Sequence, residues 1–249
     1  MKPRMILAPS VTELEWPIKP LLEEWAEVAT YDAPGVGREP PPDEYGVEAV
    51  VERGLAEVDR RGWDRYVVVG DEFGVVVATL LAAARPSAVE GVALGHASLS
   101  LDREGPRAPV NGEVMSAFES VQELDYRTFV RHLTQLTQGA YDDELAERYL
   151  ERVSQEVSLA YGNFRSPPLE PLLRELGVPL LLAKHDGCLA WTDEAFEDAI
   201  TAFPDAMAVS MRGKPSASAE FAEALRVFCS TRLGHEAGLE KDQRRSDPM

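Results

Sequence analysis

The chain is poor in cysteine and histidine, and it contains no long apolar run. Two cysteines and four histidines occur among its 249 residues, which excludes a disulfide framework and is typical of a reducing compartment. No segment approaches the roughly 18 apolar residues that a membrane-spanning helix needs. The apolar run near the N-terminus is also too short for the core of a signal peptide. We therefore expect a cytoplasmic protein.

Basic residues are scarce as well. The sequence has 25 Lys and Arg against 43 Asp and Glu, a formal net charge of −18. Such a surface repels phosphate backbones and anionic lipid, so neither nucleic acid nor a membrane is an expected partner. No Cys or His pair has metal-ligand spacing, and no nucleotide-binding loop occurs, so no metal and no cofactor are expected. We expect a small-molecule ligand or substrate, and a homodimer remains open.

Six short aliphatic or β-branched segments alternate with amphipathic helical patterns. This alternation predicts an α/β fold: a mostly parallel six-stranded sheet with helices on both faces. The predicted strands cover residues 5–8, 27–31, 66–69, 89–94, 178–183 and 206–211.

One long segment interrupts the alternation. Residues 101–171 contain several helical patterns and lie between two proline-containing loops, which predicts an all-helical cap inserted into a core of residues 1–100 and 172–232. Aromatic residues of the cap, Tyr161 among them, are candidate pocket walls. Residues 233–249 are polar and without periodicity, and we expect a flexible tail.

The strongest local motif is a buried strand, a glycine-flanked turn and a helix that follows at once. The turn reads Gly70-Asp71-Glu72-Phe73-Gly74, and it resembles the nucleophile elbow of the α/β-hydrolases, G-x-S-x-G, with Glu72 in the serine position. The small residues are needed because the strand enters the helix with almost no loop between them.

Three further segments support this resemblance. Residues 32–37 resemble the family's D-x-P-G-x-G loop, residues 176–187 the segment that supplies the triad acid, and residues 202–225 the last strand and helix. Because order and spacing agree over nearly the whole chain, the sequence is identified as a divergent member of the α/β-hydrolase fold superfamily. The resemblance begins at the family's third strand, so its N-terminal hairpin is missing.

The resemblance also implies site residues, and here the sequence departs from the family. Asp186 matches the triad acid, but the loop of residues 211–216 has no histidine where the triad histidine belongs. Ser10, Val11 and Phe73 are candidate oxyanion-hole or ligand-binding positions, since a backbone amide can serve there. The expected triad is therefore degenerate.

Two functions remain open. In the first, the protein binds a small, largely apolar molecule between core and cap, and its hydrolytic activity is reduced or lost. In the second, it is an active hydrolase of esters or epoxides, a lyase or an isomerase. Glu72 would then work with His96 or His185 as acid and base or as nucleophile, because all three follow predicted strands and can face one crevice. A structural role for Glu72, capping the following helix, is a third interpretation.

Overall fold

Six strands form one sheet at the centre of the molecule. The computed structural model describes residues 2–10, 16–95, 125–138, 143–162, 167–185 and 193–235. The strands lie in the order β2-β1-β3-β4-β5-β6, and all their pairings are parallel. They are β1 (Arg4–Leu7), β2 (Glu27–Thr30), β3 (Tyr66–Asp71), β4 (Val89–Gly95), β5 (Leu180–His185) and β6 (Met207–Met211). The predicted parallel six-stranded sheet is confirmed.

Helices cover both faces of this sheet. Within the described ranges they are α1 (Lys19–Glu23), α2 (Val47–Arg61), α3 (Phe73–Ala84), α4 (Tyr126–Gln138), α5 (Asp143–Arg152), α6 (Gln155–Gly162), α7 (Leu169–Leu176), α8 (Asp193–Ala202) and α9 (Ala219–Leu233), with a 3₁₀ turn at Pro215–Ala217. In this part of the chain, none of the helices combines the length and the apolar character that crossing a membrane requires.

The alternation of side chains along each strand divides the core in two. Val68 of β3 packs into one apolar cluster with α2 and α3, whereas Val67 and Val69 pack into a second cluster with α1 and α9. All six residues of β3 are buried. A central strand that is covered on both faces reads as a continuous apolar run, which is why the sequence pattern identified it readily.

The order of the strands places a topological switch point between β1 and β3. The chain passes from β1 to β2 on one side and then crosses to β3 on the other side of β1. At such a switch point the connections leave the carboxyl ends of the two strands in opposite directions, and ligands of open α/β sheets bind in the space between them. The turn after β3 carries Glu72, and the loop after β1 carries Ser10.

Helices α4 to α6, called here the inserted helices, separate β4 from α7 and β5 in sequence. They pack on the loop that follows β2: Arg152 of α5 forms an ion pair with Asp32 at 2.7 Å, and the hydroxyl of Tyr161 of α6 donates to the carbonyl oxygen of Pro34 at 2.9 Å. The inserted helices therefore lie at the carboxyl edge of the sheet. The domain boundaries stay predictions, and residues 236–249 of the predicted tail lie outside the described residues.

Candidate functional site

The turn between β3 and α3 is sharp, and its backbone is strained. Glu72 has φ 50° and ψ −119°, and it is the only residue other than glycine with positive φ in the described part of the chain. A Cβ atom added at Gly70 would lie 2.2 Å from the carbonyl oxygen of Gly74, and one added at Gly74 would lie 3.0 Å from the carbonyl oxygen of Ala8. A backbone conformation such as that of Glu72 costs on the order of 1–3 kcal/mol, and residues with such strain occur often at functional sites.

The carboxylate of Glu72 forms an ion pair with Lys214. The distance from Nζ to Oε1 is 2.9 Å, and the two side chains are only 7% and 12% exposed. Lys214 belongs to the loop between β6 and the 3₁₀ turn. This is the loop in which the resemblance implies a triad histidine, and Lys214 is the residue of this loop that pairs with Glu72.

Asp71 connects the turn to the loop that carries Lys214. Its side chain is completely buried, and one carboxylate oxygen accepts a hydrogen bond from the backbone N–H of Glu72 at 3.0 Å, whereas the other accepts from the N–H of Ser216 at 3.0 Å. Gly95 of β4 leaves room for it, because a Cβ atom there would lie 2.6 Å from the carboxylate. Asp71 therefore holds the backbone on both sides of the Glu72–Lys214 pair.

Glu72 does not cap α3 through its side chain. The helix begins after Glu72, and that carboxylate accepts no hydrogen bond from the backbone N–H groups of its first turn. The capping interpretation is therefore wrong for this carboxylate.

The other predicted site residues are placed as follows. Ser10 is buried on the loop after β1. Phe73 begins α3 and is half-buried, with its ring centroid 6.2 Å from that of Tyr161. His185 is half-buried at the end of β5, opposite Met211 of β6.

These positions decide little about the predicted acid–base pairs. In the sheet β4 lies between β3 and β5. Since neighbouring strands are about 4.8 Å apart, the backbone of His185 is about 10 Å from that of β3. Val11, His96 and Asp186 lie outside the described residues, and their roles stay predictions.

Sequence reasoning missed Lys214. The loop of residues 211–216 contains no histidine, but it contains two basic residues, Arg212 and Lys214. A usable signal was present: an acidic residue in the serine position and a basic residue in the histidine loop have opposite charges at two positions that the resemblance brings together.

A cavity of about 620 Å³ opens beside this site, over the β2 edge of the sheet. Its walls come from the loops after β1 and β2, from the start of α1, and from α2 and α5; Ser10 is the predicted site residue that lines it. Arg53 of α2 donates two hydrogen bonds to Glu39, at 2.9 and 2.7 Å, within this wall. Burial raises the pKa of Tyr31, another wall residue, although the charge of Arg53 opposes the shift, so its phenol is neutral.

Among the described residues, no group of three or more His, Cys, Asp or Glu side chains is placed to hold a metal ion.

The chain was compared with known proteins. No family model matches it, and no curated protein matches it. Similar solved structures include a hydrolase from Oleispira antarctica, with 12% sequence identity and a TM-score of 0.77 over 93% of this chain and 92% of that chain. An esterase from Rhodococcus has 21% identity and a TM-score of 0.73 over 93% of this chain and 91% of that chain. An enol-lactonase from Burkholderia xenovorans is also similar, with 17% identity and a TM-score of 0.68 over 94% of this chain and 92% of that chain. Each likeness extends over nine-tenths or more of both chains, so it concerns the whole architecture.

Proposed function

We propose that this chain, which has the α/β-hydrolase fold, is a small-molecule-binding protein with a degenerate triad that has lost serine-type hydrolysis. One observation carries the proposal: the elbow presents a carboxylate that is paired with the ammonium group of Lys214, where the family has a serine and a histidine.

The chemistry of the pair argues against hydrolysis. Serine-type hydrolysis needs a hydroxyl or thiol nucleophile and a neutral base that takes its proton. Lys214 in the ion pair is charged and has no lone pair with which to accept a proton. The ion pair also engages one oxygen of the Glu72 carboxylate.

The position of the switch point and of the inserted helices supports the proposal that the protein binds a small molecule. The crevice at the switch point between β1 and β3 is the usual ligand position in open α/β sheets, and the inserted helices lie over the same edge as a cap. The similar solved structures named above are a hydrolase, an esterase and an enol-lactonase, and this favours a small molecule over a macromolecule as the ligand.

Turnover of p-nitrophenyl esters and of styrene oxide tests the proposal. We expect the wild type to show no enzyme-dependent turnover above the buffer rate, and Glu72→Gln to be indistinguishable from it. Glu24→Gln, an exposed carboxylate on the surface, is the matched control. Wild-type turnover that disappears in Glu72→Gln but persists in Glu24→Gln would overturn the proposal in favour of an active enzyme using Glu72 with His96 or His185.

A further inference from the structure

The cavity beside the elbow differs from the rest of the protein in its charge. Three basic residues, Lys19, Arg53 and Arg152, line it together with two acidic ones, Asp32 and Glu39. Its wall thus has one positive charge in excess, within a chain whose net charge is −18. Among the residues that the structure describes, Glu72 and Lys214 are not part of this wall.

The basic side chains have hydrogen-bonding capacity to offer a ligand. A guanidinium group has five N–H donors in a planar fork that matches a carboxylate. Glu39 engages two donors of Arg53, and Asp32 accepts from one nitrogen of Arg152. Lys19 is 37% exposed and pairs with Glu23, one helical turn further on, at 3.5 Å. Arg53 and Lys19 can therefore share an additional anion with their present partners, and Arg152 adds a positive charge to the same wall.

Another part of the wall is formed by buried apolar side chains. Trp16, Ala33 and Val36 all line the cavity and are at most 8% exposed. The indole N–H of Trp16 donates to the carbonyl oxygen of Ala8 at 3.3 Å, and this contact fixes the ring beside the loop after β1. A flat apolar body can pack against this surface, and a volume of about 620 Å³ is within the range of drug-sized ligand sites.

We propose that this cavity binds a small organic acid, with its carboxylate toward Lys19, Arg53 and Arg152 and its apolar body against Trp16 and Val36. The inference rests on the proposed function, because it names the ligand class of a protein that binds without serine-type hydrolysis.

Three probes of nearly equal shape test the ligand class by isothermal titration calorimetry. They are 1-naphthaleneacetate, its neutral amide 1-naphthaleneacetamide, and the cation 1-naphthylmethylammonium. We expect the acid to bind at least about tenfold more tightly than the amide, with the cation weakest, because one ion pair favours the carboxylate selectively. Equal affinities, a preference for the cation, or no binding of the acid at millimolar concentration would overturn the inference.

Substitutions of lining residues test whether this cavity determines the preference for the acid over the amide. Lys19→Met and Arg152→Met should each reduce the ratio of acid to amide affinity several-fold. Arg226→Met removes a half-buried guanidinium of α9 that is paired with Glu223 and does not line the cavity, and it should leave the ratio unchanged. Lys19→Met is the safer variant, since Arg152 also holds the inserted helices to Asp32. An unchanged ratio in Lys19→Met and in a folded Arg152→Met would overturn the inference.

The two proposals fail separately. Ester turnover that depends on Glu72 would contradict the proposed function whatever the calorimetry shows. An inactive protein without preference for the acid would contradict the ligand class alone.

Discussion

The side chain at position 72 occupies a backbone conformation that disfavours it. A residue other than glycine at φ 50° persists only where its surroundings hold it. Here Asp71 fixes the N–H of Glu72, and Lys214 holds the carboxylate. The contacts of Glu72 and its neighbour Asp71 therefore offset the strain of this backbone conformation.

Breaking the ion pair one partner at a time should be costly. Glu72→Gln and Lys214→Met should each lower the free energy of unfolding by about 3 kcal/mol, because a buried charge that loses its partner is poorly solvated. The double variant should cost clearly less than the sum of the two. Urea denaturation of the four proteins measures the coupling.

Strict additivity would contradict the importance of the pair. The matched control is the exposed pair of Lys19 and Glu23, for which a cycle of Lys19→Met and Glu23→Gln should give a coupling of about 0.5 kcal/mol or less.

At the scale of elements, the contact of β3 with α3 depends on the absence of a side chain at Gly70. A methyl group there would overlap the backbone of Gly74 and the Cβ of Ala78. We expect Gly70→Ala to lower the free energy of unfolding by about 3 kcal/mol, at the upper end for overpacking. Gly213→Ala, whose nearest contact would be an ordinary 3.7 Å, should change it by less than about 1 kcal/mol. Similar losses in the two variants, measured by urea denaturation, would show that the helix can move away.

The carboxyl-terminal end of α2 makes stability depend on pH. Hydrogen bonds from Arg60, which outweigh the opposing effect of burial, and from Arg61 lower the pKa of Glu57 from 4.5 to about 2. A carboxylate whose pKa is lower in the folded state stabilises it above the unfolded pKa, and the stabilisation is lost as pH falls toward the folded pKa.

Glu57→Gln should therefore destabilise the protein by about 3 kcal/mol at pH 6, and the difference from wild type should shrink steadily between pH 4.5 and pH 2. Urea denaturation of both proteins between pH 2 and pH 6 measures this difference in the free energy of unfolding. Glu52→Gln, an exposed carboxylate on the same helix, should show a much smaller effect. A difference that is constant with pH would contradict the role of the Glu57 charge.

At the scale of the whole molecule, the sequence was sufficient to predict the strands of the sheet, but it was insufficient to predict the contacts of the candidate site. Apolar runs and helical periodicity are local signals, and Gly70 and Gly74 report a local turn, so strands and elbow were predictable. The contact of Asp71 with Ser216 spans 145 residues, and that of Arg152 with Asp32 spans 120. Such contacts depend on how the loops at the sheet edge approach one another, which no short pattern encodes. The off-centre cavity was not predictable for this reason, whereas the opposite charges of Glu72 and Lys214 could have indicated their pairing.

The buried ion pair also links the evolutionary fates of two distant positions. A lineage that exchanged Glu72 for serine first would carry a lone cation in the interior, and one that exchanged Lys214 first would carry a lone anion. Each single step costs stability that the second step restores, so the intermediates are selected against. Passage between a serine–histidine elbow and this one is therefore expected to be rare in either direction, and it would proceed most readily through uncharged side chains at both places.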